Sequence, residues 1–299
     1  LQRAGGSGGI RAIRCSGSGT TAAGLTVAAV RDPQLGGWSL EPGALVLADG
    51  GVCCLDELLS LRPTDLTALH EALEQQRVSV AKAGLVMQLP CRCSLLATAA
   101  SLKHQQHNGG PVNTLTALAS PLLSRFDLIL PLCDRHDATL DAQIATAVLQ
   151  REKRTMSATG LPASFKLGDY VELAGGTLPP PPLTNEAKTA LLAYYRLQRS
   201  ADIRDAARTT LRLLQSLQRL AVAHARLLFH ERVELMDAMV AICLMECSLW
   251  SSTGSRLLGN LLPNLMGEAA EDPAHEMASL QARLLPALGL EPTALPNSV

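Results

Sequence analysis

Residues 43–57 read GALVLADGGVCCLDE, and this stretch decides the fold class. Two short apolar runs flank a glycine pair, and the second run ends in two adjacent carboxylates. The run at residues 52–55 has the length and bulk of a strand that is buried on both faces, as in a parallel sheet. Asp56 and Glu57 would then lie at the carboxyl edge of that sheet, where open α/β sheets bind ligands.

The adjacent carboxylates suit the chemistry of nucleotide hydrolysis. Asp56 can hold a hydrated Mg²⁺ ion, and Glu57 can polarise the attacking water. Alternatively, the two residues simply lead into a helix, because the helix dipole favours acidic side chains in a first turn. The stretch by itself leaves both interpretations open.

The composition limits the possible partners. The chain has 299 residues, which is enough for one large domain or two smaller ones. Its net charge of -1 provides no global field for nucleic acid, so such binding requires local basic clusters. Aromatic residues make up only 3%, which argues against binding of single strands on aromatic platforms.

The 8 cysteines are scattered and indicate buried thiols in a reducing compartment rather than a disulfide framework.

Targeting and membrane signals are not visible in this sequence. No uninterrupted apolar run reaches the roughly 18 residues that span a bilayer, so no membrane partner is expected. No signal peptide precedes the first apolar run. The sequence begins with Leu1 and a Gly/Ser-rich run, and we expect it to be incomplete at its N-terminus.

Short strands and turns dominate the first half of the chain. Turn residues at 31–37 between two β-prone runs predict a hairpin. Alternation over residues 78–89 predicts a second hairpin with Lys82 at its tip. A lysine there can contact a phosphate backbone, although a lone exposed lysine most often only increases solubility. Further buried strands are predicted at residues 94–98 and 128–132.

Helices dominate the second half. A run of four prolines at residues 179–182 marks a linker, and Thr184 can cap the helix that follows it. Arg212, Arg219 and Arg226 are spaced by seven residues, so they form a basic stripe that is either a solvated face or a functional surface. Helical periodicity is present at residues 58–76, 139–153, 184–199, 205–230, 233–250 and 274–288. This order predicts an α/β core followed by a helical lid.

Five segments, in this order, resemble the minichromosome maintenance (MCM) family of ring-forming AAA+ DNA helicase subunits. They are GTTAAGLTVAAVRD, GALVLADGGVCCLDE, LHEALEQQRVSVAKAGLV, SPLLSRFDLIL and RTTLRLLQSLQRLAVAHARL. The segments VCCLDE, VNTLTALASPLLSRFDLIL and RLLQSLQRLAVAHARLLF are similar to the ninth paralogue of that family, which is associated with recombinational repair. The resemblance extends over residues 10–252.

The resemblance implies an AAA+ parallel sheet core with β-hairpin insertions, followed by an α-helical lid. It divides the chain into a partial ATPase core without Walker A (1–136), a connecting helix and Pro-rich linker (137–182), a lid with sensor 2 (183–252) and a C-terminal tail (253–299). It also implies ATP and Mg²⁺ as cofactors, and a single DNA strand in the channel of a hexameric ring of MCM-type subunits. A nuclear location and a role in DNA replication or homologous recombination follow from the same resemblance.

The family's functional residues correspond to named positions in this sequence. Asp56 and Glu57 resemble the Walker B pair, with Asp56 binding Mg-ATP through water. Arg125 resembles the arginine finger, which stabilises charge developing on the ATP of a neighbouring subunit. Arg212 resembles the sensor-2 arginine, which also acts across the interface. Lys82 resembles the DNA-contacting lysine of the hairpin before sensor 1.

Four features depart from the family pattern. No G-x-x-x-x-G-K-[ST] motif is present, so these residues cannot cradle their own triphosphate. Ala100 takes the position of the sensor-1 asparagine, and alanine cannot hydrogen-bond the lytic water. Leu58 replaces a phenylalanine after the Walker B glutamate, and Gln215 replaces a sensor-2 glutamate.

Three functions therefore stay open. The first is a hydrolysing helicase subunit. The second is a non-hydrolysing ring subunit that donates Arg125 and Arg212 to a neighbour's ATP site. The third is another AAA+ machine with similar hairpins, such as a chelatase or a transcriptional activator.

Overall fold

The structure of the chain is a computed structural model that describes residues 11–31, 37–82, 85–99, 120–130, 138–149, 167–176, 179–201, 209–253 and 273–290. The strands in these ranges are β1 (Ala12–Ser16), β2 (Val27–Arg31), β3 (Trp38–Pro42), β4 (Val52–Asp56), β5 (Arg77–Lys82), β6 (Leu85–Pro90) and β7 (Ser94–Ala97). The helices are α1 (Ala22–Leu25), α2 (Ala44–Leu47), α3 (Pro63–Gln75), α4 (Ser120–Leu123), α5 (Ala138–Leu149), α6 (Leu167–Gly176), α7 (Asn185–Ser200), α8 (Leu211–Leu227), α9 (Leu235–Thr253) and α10 (Pro273–Ala287).

Three parallel strands form the central sheet, in the order β1–β4–β7. Strand β4 lies in the middle, and its Cys53 and Leu55 side chains are buried. Because all three strands run in the same direction, their carboxyl ends meet at one edge, where Ser16 pairs with Asp56. The parallel sheet predicted from residues 43–57 is therefore confirmed, but β4 is not buried on both faces, because Val52 and Cys54 are only partly buried.

Two predicted details of the sheet are wrong. Strand β7 is not buried on both faces, because Leu96 is 52% exposed. Residues 128–130 do not form a strand, and Leu130 is also 52% exposed. The Ile129 N–H instead donates to the Ser248 hydroxyl at 2.8 Å, and that hydroxyl donates to the Ile129 carbonyl at 3.2 Å. Backbone polar groups need partners, and in the described part of the chain these find a serine on α9 rather than a neighbouring strand.

Both predicted hairpins are confirmed. Strands β2 and β3 are antiparallel and end at the pair Arg31–Trp38. Strands β5 and β6 are antiparallel and end at the pair Lys82–Leu85. Val86, the second residue of β6, is 84% exposed, so this hairpin projects an apolar side chain into solvent.

The first hydrophobic core lies between β4 and the helices α1, α2 and α3. It includes Leu25, Leu45, Leu55 and Leu69, which are all at most 1% exposed. Helix α3 begins at Pro63, where a proline costs no backbone hydrogen bond because a first-turn N–H has no helical partner. This core fixes the position of β4 and of the carboxylates that follow it.

The second hydrophobic core holds the lid together. It joins α7, α8, α9 and α10, with Leu191, Leu217, Ile242 and Leu284 among its buried residues. The predicted cap of α7 is confirmed, because the Thr184 hydroxyl accepts a hydrogen bond from the Ala187 N–H at 3.3 Å.

Helix α8 is shorter than the helix predicted at residues 205–230. It begins at Leu211 because Thr210 has an extended backbone, and residues 202–208 lie outside the described ranges.

A buried carboxylate fixes the connection from α8 to α9. The two oxygens of Asp237 lie 2.7 Å from His224 Nδ1 and 3.2 Å from His230 Nδ1, and one of them accepts the Glu234 N–H at 2.9 Å.

None of the described helices is both long enough and apolar enough to cross a membrane.

Candidate functional site

The first site group lies at the carboxyl edge of the central sheet. One oxygen of Asp56 accepts a hydrogen bond from the Thr98 hydroxyl at 2.5 Å. The other oxygen accepts from Arg14 Nη2 at 3.1 Å. The Thr98 hydrogen bond, followed by the Arg14 guanidinium, lowers the pKa of the Asp56 carboxyl from its ordinary value of 3.8. Asp56 is therefore ionised at neutral pH.

Glu57 follows Asp56 with an unusual backbone. Its φ of 54° and ψ of 55° lie in the left-handed region, which few residues other than glycine adopt. Its N–H donates to the Thr98 hydroxyl at 3.1 Å, and the Leu58 N–H donates to the Thr98 carbonyl at 2.8 Å. These bonds connect β4 to β7 and leave the Glu57 side chain exposed. Backbone strain held by its surroundings is typical of functional sites.

The turn after β1 supports the same edge. The Gly17 N–H donates to the Asp56 carbonyl at 2.7 Å. A Cβ atom at Gly17 would lie closer than 3.0 Å to the Glu57 carbonyl oxygen, a separation that real Cβ atoms essentially never show. Only glycine therefore fits at this position without moving Glu57.

The carboxylates fit a hydrated magnesium ion. Mg²⁺ usually keeps several waters and is held by one or two carboxylates together with substrate phosphates. The Asp56 side chain is ionised and 42% exposed, so a hydrated ion can reach it. Among the described residues, no group of three or more His, Cys, Asp or Glu side chains could hold a metal without such help. A magnesium ion at Asp56 would thus depend on a nucleotide to complete its coordination.

The second site group joins two arginines to one carboxylate. Arg125 Nη2 donates to one oxygen of Glu74, and Arg212 Nη2 donates to the other. Arg212 also donates to the Ser124 hydroxyl at 3.0 Å, and Arg125 donates to the Pro121 carbonyl at 2.5 Å. Arg125 and Arg212, which are predicted as site residues from separate motifs, are thus brought together at the contact between the core and the lid.

The charges in this cluster perturb each other. The hydrogen bond from Arg125, followed by that from Arg212, lowers the pKa of Glu74 from its ordinary value of 4.5. Burial, followed by the charge of Arg125, lowers the pKa of His70. The Arg125 side chain is only 14% exposed, and its Nε atom has no acceptor in the described part of the chain. An arginine with an unused buried donor is suited to receive a further anion.

The three arginines of the basic stripe on α8 contact neighbouring segments, although the Arg219 side chain is 56% exposed. Besides Arg212, the stripe residue Arg219 donates to Asp127 at 2.5 Å, and the Ser216 hydroxyl donates to the same carboxylate. Arg226 donates to the Gly175 carbonyl of α6. Each of the three arginines therefore contacts a neighbouring segment, and two of these contacts hold the lid to the core.

The two site groups remain separate from each other. Among the described residues, no hydrogen bond or ion pair joins the carboxylates at the sheet edge to the two arginines.

Lys82 is the last residue of β5, at the end of a hairpin. The predicted sensor-1 position, Ala100, lies outside the described residues. Two other residues that depart from the family pattern lie within the described ranges. Leu58 is 2% exposed in the first core, and Gln215 lies on the exposed side of α8.

Three site residues are not predicted from the sequence. Arg14 and Thr98 hold Asp56, and Glu74 holds both arginines. Thr98 can be recognised in principle as a hydroxyl at the end of a predicted strand next to β4. Glu74 has a weaker signal, which is an acidic side chain in the last turn of a helix, where the dipole disfavours it.

Comparison with known families matches two consecutive parts of the chain. The MCM P-loop domain matches residues 8–152, and the MCM AAA-lid domain matches residues 166–249. The chain belongs to the MCM family. The MCM sheet core and lid therefore correspond to the two hydrophobic cores described above, and the predicted AAA+ fold is confirmed.

Individual MCM relatives agree with this assignment. The chain is 42% identical over 263 residues to a probable DNA helicase MCM9 from Arabidopsis thaliana, covering 86% of this chain and 40% of the relative. It is 37% identical over 222 residues to the DNA replication licensing factor mcm-6 of Caenorhabditis briggsae, covering 73% of this chain and 27% of the relative. For the DNA replication licensing factor mcm4 of Xenopus tropicalis, the identity is 34% over 285 residues, with coverages of 93% and 33%.

These matches confirm the predicted similarity to the ninth MCM paralogue. The chain spans between about a quarter and two fifths of the length of these three relatives.

Proposed function

We propose that this chain is the ATPase region of a DNA helicase subunit that works in a hexameric ring of MCM-type subunits. One observation carries the proposal. Among the described residues, the carboxylate of Asp56 and the two arginines at Glu74 share no hydrogen bond or ion pair, although all three are predicted to act on ATP. Such a division is expected when ATP binds between neighbouring subunits, each of which supplies one half.

The first half would act on nucleotide together with Mg²⁺. Asp56 would hold the hydrated ion, and Glu57 would orient and polarise the attacking water. The low pKa of Asp56 supports this role, because a metal ligand must be deprotonated. The exposed side chain of Glu57, held by a strained backbone, is available to a water molecule at the sheet edge.

The second half would act on the nucleotide of the adjacent subunit. Two guanidinium groups at one place can stabilise the charge that develops on a transferred phosphoryl group. Arg125 comes from the core and Arg212 from the lid, so their joint action would make the site sensitive to how the lid sits on the core.

Movement along DNA would involve the β5–β6 hairpin. Lys82 lies at the end of this hairpin, where a cation can contact a phosphate backbone without reading the base sequence. The relatives are named as a probable DNA helicase and as DNA replication licensing factors, and these names support DNA as the substrate.

A second function is favoured by a specific observation. Ala100 stands where the family has an asparagine. In that case the subunit would not hydrolyse ATP itself. It would serve as a regulatory ring member that supplies Arg125 and Arg212 to an active neighbour.

The remaining assignments belong to the same proposal. Residues 1–136 would form the partial ATPase core, 137–182 the connecting helix and linker, 183–252 the lid with sensor 2, and 253–299 the tail. The similarity to proteins named MCM9 supports a nuclear protein that acts in replication or in repair by homologous recombination.

A complementation assay tests the proposal on the full-length protein assembled into its ring. Subunits carrying Asp56→Asn keep their arginines, and subunits carrying Arg125→Ala keep their carboxylates. Each variant alone is expected to lose ATPase activity by at least about 100-fold, because each lacks one half of every site. An equal mixture is expected to recover about a quarter of the wild-type activity, since one interface in four then has both halves.

The outcomes separate the candidate functions. Arg196→Ala, which removes an exposed arginine of α7, is the matched control and should retain full activity. If Asp56→Asn has no effect while Arg125→Ala lowers a neighbour's activity, the subunit is the regulatory member. If the mixture recovers nothing, the arginines do not act across the interface and the proposal is wrong.

A further inference from the structure

Glu74 and Arg212 both occupy helix positions that disfavour their charges. Glu74 lies in the last turn of α3, near the negative end of the helix dipole. Arg212 is the second residue of α8, near the positive end. Local helix energetics therefore do not explain either residue. Their ion pair supplies the compensation, since each charge neutralises the other across the contact between the core and the lid.

The cluster holds both arginines in one place. Each oxygen of Glu74 accepts one guanidinium, and the neighbouring residues Pro121 and Ser124 accept one further bond from Arg125 and Arg212, respectively. The two guanidinium groups are thus fixed relative to each other by one carboxylate and by two acceptors in and directly after α4.

The charges of this cluster do not balance. Two guanidinium groups carry two positive charges, and Glu74 carries one negative charge at neutral pH, since even its ordinary pKa of 4.5 lies well below 7 and the arginines lower it further. The Arg125 Nε donor also lacks an acceptor among the described residues. A phosphate group carries close to two negative charges and three acceptor oxygens, so it satisfies this pair of arginines better than one carboxylate does.

We propose that Glu74 is a positioning residue that serves as a displaceable counter-ion for Arg125 and Arg212. It holds the two arginines together until the terminal phosphate of a nucleotide on the neighbouring subunit replaces its carboxylate. This inference rests on the proposed function, because it requires that the arginines meet a neighbour's nucleotide. It adds a competition to that function, since phosphate and Glu74 use the same donors.

The competition makes a prediction that a purely structural ion pair does not make. If Glu74 only stabilised the fold, its removal would leave nucleotide binding unchanged or weaken it. If Glu74 competes with phosphate, neutralising it removes a competitor, so the nucleotide binds more tightly.

The test uses the full-length protein assembled into its ring and a non-hydrolysable imido analogue of ATP. Glu74→Gln removes the charge and keeps the size of the side chain. The variant is expected to bind the analogue about fivefold more tightly than wild type does, and its KM for ATP should decrease by the same factor. Glu74→Asp keeps the charge and should remain within about twofold of wild type. Glu231→Gln neutralises an exposed glutamate between α8 and α9 and serves as the control.

Combining Glu74→Gln with Arg125→Ala tests whether the competition acts through Arg125. In subunits that carry Arg125→Ala, the gain from Glu74→Gln should fall to less than about twofold, because only Arg212 then remains to be freed. The decisive case is one in which Arg125→Ala alone weakens binding of the analogue. If Glu74→Gln then leaves that binding unchanged or weakens it, this inference is overturned and the proposed function stands. If Arg125→Ala alone changes neither binding nor ATPase activity, the proposed function and this inference both fall.

Discussion

Gly17 illustrates how a single residue shapes the sheet edge. Its backbone lies against the Asp56 and Glu57 carbonyls, and a Cβ atom there would overlap the Glu57 carbonyl oxygen. We expect Gly17→Ala to destabilise the folded chain by about 1–3 kcal/mol, because the turn after β1 or the backbone of Glu57 must move. Urea unfolding of the purified protein measures this change.

Gly19 provides the matched control, since it lies in the same turn. A Cβ atom at Gly19 would meet nothing within 4 Å. Gly19→Ala should therefore change the free energy of unfolding by less than about 1 kcal/mol. Equal effects of the two substitutions would show that the close approach of Gly17 to the Glu57 carbonyl does not determine the stability of the folded chain.

The β5–β6 hairpin is the element that would connect ATP hydrolysis to DNA. We expect Lys82→Ala to weaken binding of the full-length ring to single-stranded DNA for every base sequence, because a phosphate contact carries no sequence information. Each lost contact should reduce the slope of log K against log salt by about 0.7 per subunit. Fluorescence anisotropy over a range of salt concentrations measures this slope.

A lysine on another element separates a hairpin effect from a general charge effect. Lys188→Ala removes an exposed lysine of α7 and should leave the salt slope unchanged. A slope that stays at the wild-type value in Lys82→Ala would exclude a phosphate contact at the hairpin end and would favour another AAA+ machine over a helicase.

The elements differ in how far the sequence predicts them. Strand β4 with Asp56 and the hairpin with Lys82 can be predicted, because periodicity and turn residues act over a few positions. The ion pairs of Glu74 cannot be predicted, since its partners Arg125 and Arg212 lie 51 and 138 residues away. The apolar run at residues 128–130 is wrongly predicted as a strand for a related reason. Apolar character indicates burial, but a strand also needs a neighbour to pair with.

At the scale of the whole molecule, polar contacts join two separate hydrophobic cores. Arg212 binds Glu74, Arg219 binds Asp127, and Ser248 binds the Ile129 backbone. These contacts all run from the lid to the core, and all involve residues near the predicted arginine finger. The lid position therefore depends on charge as well as on packing, and so it should depend on pH.

Glu74 determines the direction of that pH dependence. Its pKa is lowered in the folded chain by Arg125 and Arg212, so the folded state binds fewer protons than the unfolded state at acidic pH. The stabilisation is complete above the ordinary pKa of 4.5 and is lost as the pH falls through the lower folded value. We therefore expect the melting temperature of wild type to exceed that of Arg212→Ala at pH 6–7, and the difference to shrink below about pH 4. Arg196→Ala on α7 is the control and should show a difference that does not change with pH. A wild-type advantage over Arg212→Ala that persists unchanged at pH 3 would mean that Arg212 stabilises the lid by packing and not through the Glu74 carboxylate.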